Sequence, residues 1–309
     1  MLGQPRILWR DQQITIPRRL ARTFIYYLAC HKVMISRSDL VNLFWPDSPN
    51  SRQHLRDLLS KLRSELPDPD IIRTDRDWIG LNYQKVSSDV LVFEDLYEQL
   101  SLPFLNIENR PVPEAIYQKL LNAVTMWEAP GFLYGVALIE KDDLSEWVEI
   151  KNRRLRFKWL NLMMRIARHL MAVGDLESAL IWLEKVNEND EDYEFPQVIY
   201  NRLDVLYQLG RLSQAYEYGI QYVEEVKTEW FSEFKLPFER LMKKIENERL
   251  EVGLRTTPPT RSSQGSTIPF MGRSDLITQI QQTYRRGDII VLSAETGFGK
   301  SRLLNEFLK

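Results

Sequence analysis

Thiols and imidazoles are nearly absent from this chain of 309 residues, which carries one cysteine, Cys30, and three histidines, His31, His54 and His169. A lone cysteine excludes an internal disulfide, and no second thiol or imidazole lies at metal-ligand spacing from Cys30 or His31, which leaves both as packing residues. Long apolar runs are missing too. No stretch is apolar enough to span a bilayer, and the opening residues MLGQPRILWRDQQ lack the apolar core of a signal peptide. The expectation is a cytoplasmic protein without a membrane partner. Nor does one sign of charge dominate, the formal net charge being -2. That balance hides an asymmetry: residues 1–85 hold 14 Lys and Arg against 9 Asp and Glu, leaving 27 against 34 for residues 86–309. A basic N-terminal unit on an acidic remainder fits a nucleic-acid-binding domain joined to parts that read other partners. With 44% apolar residues the chain can bury a sizeable core, which excludes a disordered protein and suggests two or three domains.

The stretch Ser51 to Leu66, SRQHLRDLLSKLRSEL, carries the sharpest pattern. Leu55, Leu58, Leu59, Leu62 and Leu66 recur at spacings of three and four, so as a helix it buries one leucine stripe. On the opposite side Gln53, Asp57, Ser60 and Ser64 run down the middle. Arg52, Arg56 and Arg63 border them on one flank, His54 and Lys61 on the other. Long cations flanking short polar groups suit the major groove, where they meet phosphates or guanine edges and glutamine can pair with adenine. A solvated amphipathic surface helix shows the same pattern, so its neighbours must decide. Asp57 sits awkwardly on such a face, unless it accepts from a cytosine amino group or pairs with Arg56 or Lys61.

Those neighbours have the order of a winged helix. Short β-like pieces, Arg6 to Trp9 and Gln13 to Ile16, precede a helix from about Arg18 to His31 that buries Ala21, Phe24, Ile25, Leu28 and Ala29. Ser36 and Asp39 form a capping-box-like start for a second helix, which ends at Trp45-Pro46. After the leucine-striped helix, Ile71 to Thr74 and Trp78 to Leu81 read as a hairpin around Asp75-Arg76-Asp77. Arg73 and Arg76 are then wing residues for phosphate, and Trp78 is expected to anchor the hairpin on the core. The run Ser36 to Leu66, with LFWPDSPNSRQHLRDLLSKLRSEL at its centre, resembles the DNA-binding domain of antibiotic-regulatory-protein type transcriptional activators. That resemblance implies the response-regulator winged-helix fold and double-stranded DNA as a partner.

Residues 86–250 read as a helical repeat domain. Gly174-Asp175-Leu176 with Ala179 recurs as Gly210-Arg211-Leu212 with Ala215, an offset of 210 minus 174, or 36, close to the tetratricopeptide period. Such repeats present a surface for a protein partner or a second copy of the chain, or else only space domains. Aromatics such as Trp182, Tyr207, Tyr216, Tyr218 and Tyr222 are not sorted by sequence into core and contact residues. Gly131-Phe132-Leu133 and Trp147 through Arg154 resemble the start of the bacterial transcriptional activator domain that follows the winged helix in the same family. RNA polymerase or another protein is the partner this implies for the repeats.

A polar linker occupies residues 251–268, with TTPPTRSSQGS at its centre. Behind it the strand-like run Ile289 to Ser293 leads into Ala294, Glu295, Thr296, Gly297, Phe298, Gly299, Lys300 and Ser301. This matches a phosphate-binding loop except that Ala294 replaces the first glycine. Backbone N–H groups around Gly297 and Gly299 would wrap phosphate, Lys300 would reach the β and γ oxygens, and Ser301 would hold magnesium. Pro269 to Arg273 resembles the start of signal-transducing ATPase modules, which implies ATP and Mg2+ as ligands of a longer parent protein and none required by this stretch. Without a second acidic strand or an arginine finger before Lys309, no catalytic residue is expected here. The fold expectation is therefore mainly α: a winged helix-turn-helix in 1–85, a TPR-like α-helical repeat domain in 86–250, and an incomplete α/β P-loop segment in 269–309. Functionally this is a non-enzymatic DNA-binding activator, nucleoid-associated when bound. A P-loop ATPase with appended domains, or a repeat-based scaffold, are the rivals.

Overall fold

Alternating residues and a tight turn open the chain as a hairpin. In this computed structural model, which describes residues 1–101, 110–128, 130–137, 142–191, 194–224 and 227–256, strands β1 (Ile7–Trp9) and β2 (Gln12–Ile14) pair antiparallel with Ile7 opposite Ile14. Arg10 and Asp11 between them have φ of 48° and 64°, the left-handed pair that matches the twist of a two-residue hairpin. Helix α1 (Arg19–Ala29) follows and buries the expected face of Ala21, Phe24, Ile25, Leu28 and Ala29. The Tyr83 hydroxyl points at the carbonyl oxygens of Leu28 and His31, at 3.1 and 3.0 Å, and so covers the helix end.

Helix α2 (Arg37–Phe44) starts at the expected cap, the Ser36 hydroxyl accepting from the Asp39 N–H at 3.0 Å. Helix α3 (Ser51–Glu65) starts after Asn50, whose side chain makes no capping hydrogen bond. A 3-10 turn at Pro69–Ile71 leads to strands β4 (Ile72–Thr74) and β5 (Trp78–Leu81). A third strand, β3 (Ile35–Ser36), pairs with the far side of β5, giving the order β3-β5-β4. This strand was not expected from sequence, being two residues long and absorbed in the approach to the α2 cap. The expectation for Trp78 is corrected: it is 47% exposed, whereas Ile79 is fully buried. Alternation along β5 admits one of the two to the core, and the pairing of Ile79 with Ile35 and Thr74 selects the isoleucine.

Helices α4 (Asp89–Ser101), α5 (Glu114–Thr125), α6 (Asp142–Val173), α7 (Leu176–Asn189), α8 (Gln197–Gln208), α9 (Leu212–Gln221) and α10 (Ser232–Thr256) form the remainder of the described chain. From α5 to α9 each packs on the next. The internal repeat is a repeat of turns. Gly174 and Gly210 have φ of 85° and 71°, and the following residues donate back, Asp175 to Leu170 and Arg211 to Leu206, at 2.9 and 3.0 Å. Helices α6 and α8 thus end in glycine caps that reverse the chain into α7 and α9, with Ala179 and Ala215 fully buried beneath. The aromatic side chains are now sorted. Tyr218 is buried, while Trp182, Tyr207 and Tyr216 lean on the core with a cation over the ring, from Lys185, Lys244 and Arg249 respectively.

Residues Met1–Val252 form a single compact unit, because the winged helix and the helices are stitched together. Leu2 is buried, its N–H donates to Asp89 at 3.0 Å, and the Met1 carbonyl accepts from Leu133 N–H at 2.9 Å. Trp147 of α6 packs on Tyr27 of α1 and on Phe132, with ring centroids 4.8 and 5.9 Å apart. Within the helical part Glu94 of α4 receives Lys151 and Lys158 of α6, each at 3.0 Å. Burial alone would raise the Glu94 carboxyl, but hydrogen bonds from the two lysines outweigh it and hold the group below the usual carboxylate range. A carboxyl depressed in the folded state contributes stability above its unfolded value, and that contribution is lost as pH falls through the folded value. Glu94→Gln should therefore cost about 1–3 kcal/mol at pH 7, with the gap between variant and wild-type thermal melts closing in acid; a gap independent of pH would contradict the assignment.

Candidate nucleic-acid interface

Helix α3 is held by its leucines. Leu55, Leu58, Leu59, Leu62 and Leu66 are all buried, and the helix packs on α2 and on the 3-10 turn before β4. The opposite face is thereby fixed outward: Arg52, Gln53, His54, Arg56, Asp57, Ser60, Lys61 and Ser64 are exposed, and Arg63 is half-buried. Beside it stands the hairpin of β4 and β5, with Arg73 and Arg76 exposed. Among the described residues, Arg52, Arg56, Lys61, Arg73 and Arg76 have no carboxylate within ion-pair distance, in contrast to Lys85, Lys151, Arg202 and Arg211 elsewhere. Five unpaired cations on one side of the molecule leave their charge available to an anionic partner.

The residues named from sequence are not equivalent. The Gln53 amide donates to Asp57 at 2.9 Å, so the acidic group on this face is partnered by its i-4 neighbour and not by Arg56 or Lys61. His54 approaches the Ser48 hydroxyl at 3.3 Å and lies near the Trp45 ring, which ties it to the turn before α3. Arg63 donates to the Thr74 hydroxyl at 2.7 Å and thus braces α3 against β4. Sequence reasoning missed Arg37 at the start of α2. Its backbone N–H donates to the Asp77 carbonyl at 2.8 Å and its guanidinium reaches the Asp75 carbonyl at 3.3 Å, clamping the wing turn. No local pattern signals such a contact, since the partners lie 38 residues apart.

The remaining titratable candidates are structural. Cys30 is buried, and burial pushes its thiol up to about 12, which leaves it unreactive near neutrality. His169 is buried and accepts from the Val112 N–H at 3.0 Å. Among the described residues no group of three or more His, Cys, Asp or Glu could hold a metal, and no helix is long and apolar enough to cross a membrane. The loop Ala294 to Ser301 and the strand Ile289 to Ser293 before it lie outside the described residues.

No family model and no curated protein matches the chain. Among solved structures it is similar to EmbR of Mycobacterium tuberculosis, in a complex with a low-affinity phosphopeptide. The two share 15% sequence identity and a TM-score of 0.58, over 86% of this chain and 72% of EmbR. At that identity the likeness concerns the fold: a winged helix-turn-helix followed by a helical domain.

The bracing role of Arg63 separates it from its neighbours. Arg63→Ala should lower stability by about 1–2 kcal/mol through the lost charged hydrogen bond to Thr74, whereas Arg56→Ala should leave it within about 0.5 kcal/mol. Paired urea titrations measure both, and equal stabilities would remove the brace.

Proposed function

We propose that this chain is a sequence-specific DNA-binding transcriptional regulator that lays α3 in the major groove and sets the β4–β5 hairpin against the backbone. The observation that carries this reading is the outward face of α3, cation-bordered and held by a buried leucine stripe, with the unpaired Arg73 and Arg76 alongside on the wing. Arg52, Arg56 and Lys61 flank the groove floor, where Gln53, Asp57 and Ser60 meet base edges. The fold shared with EmbR supports the same arrangement, and so does the sequence resemblance to antibiotic-regulatory-protein type activators. In this reading the TPR-like helix pairs α6–α7 and α8–α9 contact RNA polymerase, another protein or a second copy. Ala294 to Ser301, on its sequence pattern, is the phosphate loop of an ATP- and Mg2+-responsive module.

The unpaired cations set the size of the salt effect. Neutralising about five phosphates gives a slope of log affinity against log salt of about -4.5, and each cation removed lowers its magnitude by about 0.9. Arg56→Ala should reduce the slope accordingly and weaken binding by about 1–3 kcal/mol. Fluorescence anisotropy with a pool of random duplexes at several salt concentrations reads both quantities. A slope near zero for a folded protein would exclude the DNA reading.

A further inference from the structure

A cleft of about 540 Å³ lies between the β1–β2 hairpin, the C-terminal half of α1, the end of α3 and the start of α4. That volume is in the range of small-molecule sites. Its apolar walls include Leu2, Ile25, Ala29, Leu66, Ile71 and Leu81. The charged groups on its lining are already matched. Lys85 is bonded to Asp68 and Asp70 at 2.8 and 2.9 Å, Asp89 accepts from the Met1 and Leu2 nitrogens, and Arg6 faces Glu128 at 3.9 Å. Among the described residues that line the cleft, Ser88 is the one whose polar side-chain atom is buried without a hydrogen-bond partner, the residue being 5% exposed. A buried hydroxyl left unpaired is costly, and a serine side chain changes partner by rotation about one bond.

We propose that this cleft binds an uncharged, mainly apolar small molecule carrying an oxygen acceptor for the Ser88 hydroxyl. Apolar walls supply the affinity, the absence of an unmatched charge selects against ions, and Ser88 orients the ligand. Leu66 and Pro67, which end α3, line the cleft together with Met126 and Glu128 beyond α5, so an occupant touches both the winged helix and the helical part. Any effect of occupancy on DNA affinity rests on the function proposed above; the binding itself does not.

The test uses the full chain and Nile red, an uncharged dye with a carbonyl acceptor whose emission rises and shifts to the blue in apolar surroundings. A saturable titration with one site per chain is expected. Ala29→Leu, which fills the cleft, should abolish it. Ser88→Ala should weaken it about three- to tenfold, the worth of one hydrogen bond. The same Ser88→Ala chain should melt at or above the wild-type temperature, because an unpaired hydroxyl is removed, and this keeps lost folding apart from lost binding. Non-saturable emission, or saturable binding that both folded variants retain unchanged, overturns the proposal. Dye binding in a chain that fails to retain DNA would leave the cleft standing and sink only the DNA reading.

Discussion

The burial of one leucine stripe on α3 is the constraint on which the rest of the N-terminal architecture depends. A helix that seats Leu55, Leu58, Leu59, Leu62 and Leu66 in a core has no rotational freedom left. Its outer face is then as fixed as its inner one. Each buried leucine contributes about 1.5–3 kcal/mol relative to exposure, far more than any one polar contact made by Arg52 to Ser64. Position is thus set by apolar burial, and the polar residues are presented with no cost in ordering the backbone at the moment of binding. The Arg63–Thr74 and Arg37–Asp75 contacts add the wing to the same rigid frame.

A second constraint couples this frame to the helices. Tyr27, Phe44 and Trp147 form an aromatic seam between α1, α2 and α6, while the first three residues thread between Asp89 and the loop that carries Leu133 and Tyr134. Two domains joined only by a linker would move independently; these two share a buried interface. Trp147 thereby places α6 directly against Tyr27 of α1, and Phe44 carries the same aromatic seam on to α2, against which α3 packs.

What was legible in the sequence was what is local. The leucine stripe of α3 and the Ser36–Asp39 cap are each defined within a few residues and stand in the structure at the expected place, as do the buried Ala179 and Ala215 of the repeat; its glycines, expected as small residues for close helix approach, instead serve the left-handed turns at 174 and 210, where a Cβ would meet nothing within 4 Å. What was not legible depends on partners distant in sequence. Strand β3 exists because β5 offers it an edge, and the same pairing turns Ile79 inward and Trp78 outward, against the expectation that the larger ring would anchor the hairpin. Arg63 reads as one more cation on a polar face until Thr74 is brought beside it. The bond between Gln53 and Asp57 is the exception: it follows the i,i+4 spacing of neighbours on a helix and was available from sequence alone.

That bond also answers how an acidic residue can sit on a face proposed to meet DNA. Phosphates line the walls of the major groove and base edges its floor, about 12 Å across. In the proposed docking Arg52, Arg56 and Lys61, on the borders of the α3 face, would meet the walls, whereas Asp57, on its midline, would lie over the floor. Its charge there opposes phosphate from a greater distance and through water, where Coulomb interactions are screened. Gln53 engages one oxygen of this exposed carboxylate, and what the other could accept from on that floor is an amino group. In the DNA reading proposed above, a midline of Gln53, Asp57 and Ser60 would give up a little non-specific attraction for the ability to discriminate among bases, as binding at particular sites requires and general coating of DNA does not.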